Sequence, residues 1–160
     1  MAQRARRRRE QQLEVHQRPE GTSDETVAAL GKLSEALEMI EEARGHLYAF
    51  HRLCGAADLA AGEAVDLLRE AGHGEQADLL QIELVGRNII EGRWSFQVVE
   101  EYDDTYWSVA RALEERCRRE LIDGRRHVYE AEMKEDRRTP GKRYHEAVPD
   151  DGGPQSPGGS

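Results

Sequence analysis

The sequence predicts an all-α fold: an antiparallel helical bundle of four main helices plus a short C-terminal helical extension, flanked by disordered tails. Three observations predict it. Apolar residues recur at three- and four-residue spacing over long stretches. Glycine-containing breaks punctuate those stretches. Nothing between residues 23 and 135 alternates with period two for more than a few residues, so no sheet is expected. Residues 1–22 read as a charged N-terminal tail, 23–138 as the helical domain and 139–160 as a Pro/Gly-rich disordered tail.

The first helix starts at Thr22 or Ser23 as N-cap, with Asp24 and Glu25 in a first turn that favours negative charge. Leu30, Leu33, Leu37, Ile40, Leu47 and Cys54 form its apolar stripe, widened by Val27 and Phe50. The pattern predicts a helix of about 30 residues ending near Gly55. A second helix is expected over 57–71, with Leu59, Ala61, Val65 and Leu68 facing inward, stopped by Gly72-His73-Gly74. A third, 75–85, uses Ala77, Leu80 and Leu84. After Gly86-Arg87-Asn88, residues 89–94 form an apolar connector. The fourth helix opens near Ser95 or Phe96 and carries Val99, Tyr102, Tyr106, Ala110, Leu113, Cys117 and Leu121 at helical spacing. Gly124 ends or bends it, and 127–134 continues as the short extension. Trp94, Tyr102, Tyr106 and Trp107 are expected to pack as core near the connector.

Charge narrows the function classes. The net charge is -9, yet residues 1–22 hold six Arg and three Glu and residues 136–160 balance, so the intervening segment carries -12. A domain that acidic repels nucleic-acid phosphates, which makes the folded part a poor nucleic-acid binder. The basic arm Arg4 and Arg6 to Arg9 can still make weak contacts with anionic partners. Mean hydropathy is -0.83. No stretch approaches the apolar length of a membrane span, and no apolar run follows the basic start, so a cytoplasmic location is expected. Cys54 and Cys117 are too few for a disulfide framework; they read as buried thiols, with a bridge between them left open.

Several segments carry a resemblance: Glu83-Leu84-Val85-Gly86-Arg87-Asn88, Arg93-Trp94-Ser95-Phe96-Gln97, Val99-Glu100-Glu101-Tyr102-Asp103-Asp104 and Arg126-His127-Val128-Tyr129-Glu130-Ala131-Glu132. Over roughly residues 30–145 the chain resembles uncharacterised small helical proteins of high-GC actinobacteria. That likeness implies a bacterial cytoplasmic protein and brings no activity with it.

Polar clusters supply the candidate sites. On helix 1, Glu42 and His46 share a face, with Arg44 and His51 close by. Continuing the apolar stripe past Ile40 places Arg44 and His51 on the packing seam, whereas a drifting 3.6-residue period places Ala43 and Phe50 there instead. The start of helix 4 brings Glu100, Glu101, Asp103 and Asp104 among aromatic residues. His127 and Glu130 form a third pair. Hard oxygen ligands with imidazole suit a divalent metal such as Fe, Mn or Zn, and Glu42, His46, Glu100 and Asp103 are the candidate ligands. Alternatively, Glu100-Glu101-x-x-Asp104 resembles the Glu-Glu-x-x-Asp motif of the all-α nucleotide pyrophosphatases related to MazG. That likeness implies Mg²⁺ held by Glu101 and Asp104, with Glu38-x-x-Glu41-Glu42 as partner motif. The leading expectation is different: a helical interaction module, as a homodimer. Its first helix has more apolar length than the short helices can cover.

Overall fold

In a computed structural model the chain is described over residues 15–147, and the fold is all-α. The helices are α1 (Asp24–Glu70), α2 (Gly74–Glu83), α3 (Ser95–Glu101), α4 (Ser108–Ile122) and α5 (Val128–Arg137). A π-helical segment, Tyr102–Trp107, joins α3 to α4 without a break. Among the described residues no strand forms; one isolated bridge, Ile90 to Arg93, closes a tight turn on Gly92. None of the described helices is long and apolar enough to cross a membrane.

The first correction concerns α1. Its 47 residues run unbroken through Gly55, where a break between two helices is expected from the sequence. An interior glycine costs only about 1 kcal/mol relative to alanine, too little to stop a helix by itself. Gly55 is followed by an alanine-rich stretch with no proline, so the helix propagates to Glu70. There the chain does turn: Gly72 takes φ +85°, a conformation that costs other residues a Cβ clash. At the other end, Ser23 caps as expected, its Oγ accepting the Thr26 N–H at 3.2 Å.

The chain divides into two compact units, and α1 contributes to both. The first holds the described residues up to Glu35 together with those from Leu113 onward. Its core is Val27, Leu30, Ile122 and Val128, with Leu33 and Cys117 packed against it. Buried Glu114 is held there by Ser34 Oγ at 3.3 Å and Arg118 Nε at 3.2 Å. The expected N-terminal tail is partly incorporated. Arg18 makes a two-pronged ion pair with Glu132, at 2.6 and 2.7 Å, and His16 Nδ1 lies 2.7 Å from the Arg126 carbonyl. The Arg4–Arg9 arm and residues 148–160 lie outside the described residues.

The second unit, Ala36–Ala112, has a thin core of Val65, Ala77 and Val99. Along α1 the least exposed residues recur in a heptad: Leu37, Ile40, Arg44, Leu47, His51, Cys54, then Ala61, Val65 and Leu68. The strict three-four stripe therefore holds, and Ala43 and Phe50 face outward. Leu59, expected inside, is 72% exposed because it falls off that stripe.

The second correction concerns the helix from Ser95 onward. Its inward residues begin with Val99, then become Asp103, Trp107 and, in the first unit, Glu114 and Ile122. The expected residues Tyr106, Leu113 and Leu121 are instead exposed. Tyr106, Leu113 and Leu121 each give way to the next residue, whereas Val99, Ala110 and Cys117 stay inward as expected. The π-helical segment accounts for the slip, because its wider turn inserts an extra residue and changes the phase of the helix after it. Trp94 is exposed too, stacked edge-on against Phe96 with ring centroids 5.5 Å apart. The two cysteines are free and half-buried.

Candidate functional site

The polar centre of the second unit grows from the α1 heptad. Its first position is leucine at 37, then Arg44, His51 and Asp58, and returns to apolar at Val65. Arg44 and His51 are half-buried on the packing seam and require partners, because an unmade hydrogen bond there costs more than a made one returns; Asp58 is exposed. Each of the three finds one. Arg44 meets Asp103, with Nε to Oδ1 at 2.7 Å and Nη2 to Oδ2 at 2.9 Å. His51 Nδ1 lies 2.8 Å from Ser95 Oγ. Asp58 Oδ1 accepts the Gly86 N–H at 2.7 Å, where Gly86 takes φ +73° to present it. As α1 advances, its partners step backwards along the chain, so α1 and the Ser95–Trp107 stretch run antiparallel within this unit.

Arg44 and Asp103 carry most of the electrostatics. Tyr48 donates to Asp103 Oδ2 at 2.8 Å, and Arg44 Nη2 lies 3.2 Å from Tyr48 Oη. The guanidinium also lies over aromatic rings, its Cζ 4.3 Å from the Trp107 centroid and 4.9 Å from that of Tyr48. Asp103 and Trp107, four residues apart, lie on the same side of the helix, so both reach Arg44. The freed carbonyls of the π-helical segment are taken up locally: Thr105 Oγ1 donates to the Glu101 carbonyl, and Ser108 Oγ to that of Asp104 at 2.7 Å.

The titration of these groups follows from the contacts. Hydrogen bonding by Arg44, and secondarily by Tyr48, holds the Asp103 carboxyl below its usual range despite partial desolvation. Its hydrogen bond to Asp103, with partial burial, pushes the Tyr48 phenol up. Arg44 is held still more firmly in its charged form by Asp103. At neutral pH the trio is therefore an internally neutralised ion pair with a phenolic donor. Asp103 has no proton to give and Tyr48 holds its own. Trp107 Nε1 is buried without a hydrogen-bond partner, its ring face already occupied by Arg44.

No family model, curated protein or solved structure matches this chain. The reading of the site therefore rests on its own geometry. Of the sequence-derived candidates, Glu42 and His46 do pair, at 3.7 Å, but both are more than three-quarters exposed. Glu100 is exposed and Asp103 is committed to Arg44. Glu101 pairs with Arg93, and Asp104 is exposed. Glu38 and Glu41 are exposed as well. His127 and Glu130 stand 4.0 Å apart in the first unit. Among the described residues, no group of three or more His, Cys, Asp or Glu is placed to hold a metal ion. The residues that take part in these separate contacts include Tyr48, Ser95 and Asp58, which the motif reading passed over. The seven-residue spacing of Arg44, His51 and Asp58 is a sequence signal for Asp58; Tyr48 and Ser95 carry none.

Proposed function

We propose that this chain is a helical interaction module that works as a self-associating protein. The observation that carries the reading is the amount of large apolar surface left outside on α1 and α2 of the second unit. Leu53, Leu59, Leu67, Leu79 and Ile82 are each more than 60% exposed. Scattered exposed leucines are ordinary, but a concentration of them beside a three-residue core favours burial by a partner. The polar heptad positions support the same reading. Polar residues at core positions fix helix register at some cost in stability, a property suited to a scaffold that must present one defined face. Asp103, the carboxylate drawn furthest into the seam, is bound by Arg44 and Tyr48.

The test is mass measurement by light scattering on the full chain at ~50 µM, a range in which a modest interface is populated. A dimer, or a mass rising with concentration, is expected. A monomer with a concentration-independent unfolding transition overturns the reading.

A further inference from the structure

A second seam runs along α1, separate from the one that packs inside the unit. Its residues are Ala43, His46, Phe50, Leu53, Ala57, Ala60, Ala64 and Leu67. They repeat at alternating three- and four-residue steps, the spacing of a coiled-coil contact line. All but Ala64 are exposed, Leu53 to 69% and Leu67 to 65%. One helix thus carries two heptad lines, one used by its own unit and one uncovered.

We infer that this second line is the contact face of an antiparallel homodimer, with α1 of one copy lying along α1 of another. The inference rests on the self-association reading above. Orientation follows from the order of large and small residues. In an antiparallel pair centred on residue 55, Leu67 meets Ala43, Ala64 meets His46, Ala60 meets Phe50 and Ala57 meets Leu53. Every layer then joins one large side chain to one alanine, giving even volume along the contact. A parallel, in-register pair instead stacks Phe50 on Phe50, Leu53 on Leu53 and Leu67 on Leu67, with alanine on alanine between. Such a line alternates crowded and hollow layers.

The seam is complementary to itself, which identifies the occupant as a second copy. The rest of this chain offers little to cover it: residues 1–14 contain Met1 and Leu13 as their large apolar side chains, and 148–160 contain Val148. The contact spans 25 positions, or roughly 37 Å of helix. With a footprint roughly 15 Å wide, it covers roughly 1,100 Å² in total, at the lower edge of specific interfaces. The dimer is accordingly one that forms at micromolar concentration.

The experiment combines face and orientation. Leu53→Glu and, separately, Ala60→Glu place a charge on exposed positions of the seam. Each is expected to give a monomer by light scattering, with helicity by circular dichroism unchanged. For orientation, Phe50→Cys/Ala60→Cys is made in a Cys54→Ala, Cys117→Ala background and oxidised with diamide. Covalent dimer is expected from the double variant. The single Ala60→Cys variant should give none, because the two thiols lie roughly 15 Å apart along the axis. Cross-linking of the single variant shows a parallel pair and overturns the orientation. Linkage of Ala43→Cys/Ala60→Cys in place of the first pair overturns the register. A wild-type dimer that persists in both glutamate variants overturns this face while leaving self-association standing; a wild-type monomer removes both.

Discussion

Asp103 is held from two sides, and its neighbours define what it contributes. Its carboxyl is kept below the usual range by Arg44 and Tyr48. A carboxylate whose folded pKa is depressed stabilises the fold above its unfolded pKa and loses that contribution as pH falls through the folded value. Asp103→Asn is therefore expected to lower the thermal transition at pH 7, with the gap to wild type narrowing below pH 4, near the unfolded carboxylate range. Thermal melts across that range check it; a gap independent of pH denies the ion pair its role. A second expectation concerns the core. Val65 is 1% exposed, and Val65→Ala should cost about 1–3 kcal/mol in chemical denaturation through lost burial and an unfilled cavity. Sequence reading placed Val65 inside on periodicity alone. It also brought Arg44 and His51 to the seam as one of two options. It did not reach Tyr48, because a tyrosine's choice of partner depends on which side chain lies opposite, and that lies more than fifty residues along the chain.

At the scale of the element, α1 and the π-helical segment carry the main lessons. Gly55 sits in the helix interior with nothing within 4 Å of where a Cβ would stand. Gly55→Ala is expected to stabilise by about 0.5–1 kcal/mol, through a smaller entropy loss on folding. Gly31 is the contrasting case: a Cβ there meets the Tyr129 ring at 3.0 Å. Gly31→Ala should lower the thermal transition, although both glycines lie in the same helix. The pair of melts separates propensity from packing; equal shifts for the two substitutions contradict the close approach of Tyr129. Periodicity made the long helices legible, since burying one face imposes it. The π-helical segment left no such mark. An extra residue in one turn leaves local propensity unchanged, and it is favoured when Asp103 and Trp107 gain Arg44 as a partner. Tyr106, Leu113 and Leu121 were accordingly expected one residue out of phase with the faces they occupy.

At the scale of the molecule, each unit is small and its core is short, so stability should depend on added contacts. Arg18 ties the N-terminal stretch of the first unit to Glu132 and to Asp24, the latter at 2.5 Å. Arg18→Ala is expected to lower the thermal transition, by less in 0.5 M salt than at low salt, because partly exposed ion pairs are screened. An unchanged melt at low salt would exclude that anchor. The composition marked residues 1–22 as tail, on their lack of apolar periodicity. It had no access to the guanidinium–carboxylate match that fastens Arg18 to a residue over a hundred positions away.

The amino-acid sequence by itself determined the helical class, a cap at Thr22 or Ser23, the break at Gly72 and two alternative inward lines on the first helix. These depend on local propensity and on the spacing of apolar residues, both readable along the chain. Only the tertiary structure decided that α1 passes through Gly55, that the register slips by one residue at Tyr102–Trp107, and that Asp103 answers Arg44. A helix break or a π-turn differs from plain helix by only one or two kcal/mol locally, so packing against distant residues selects between them.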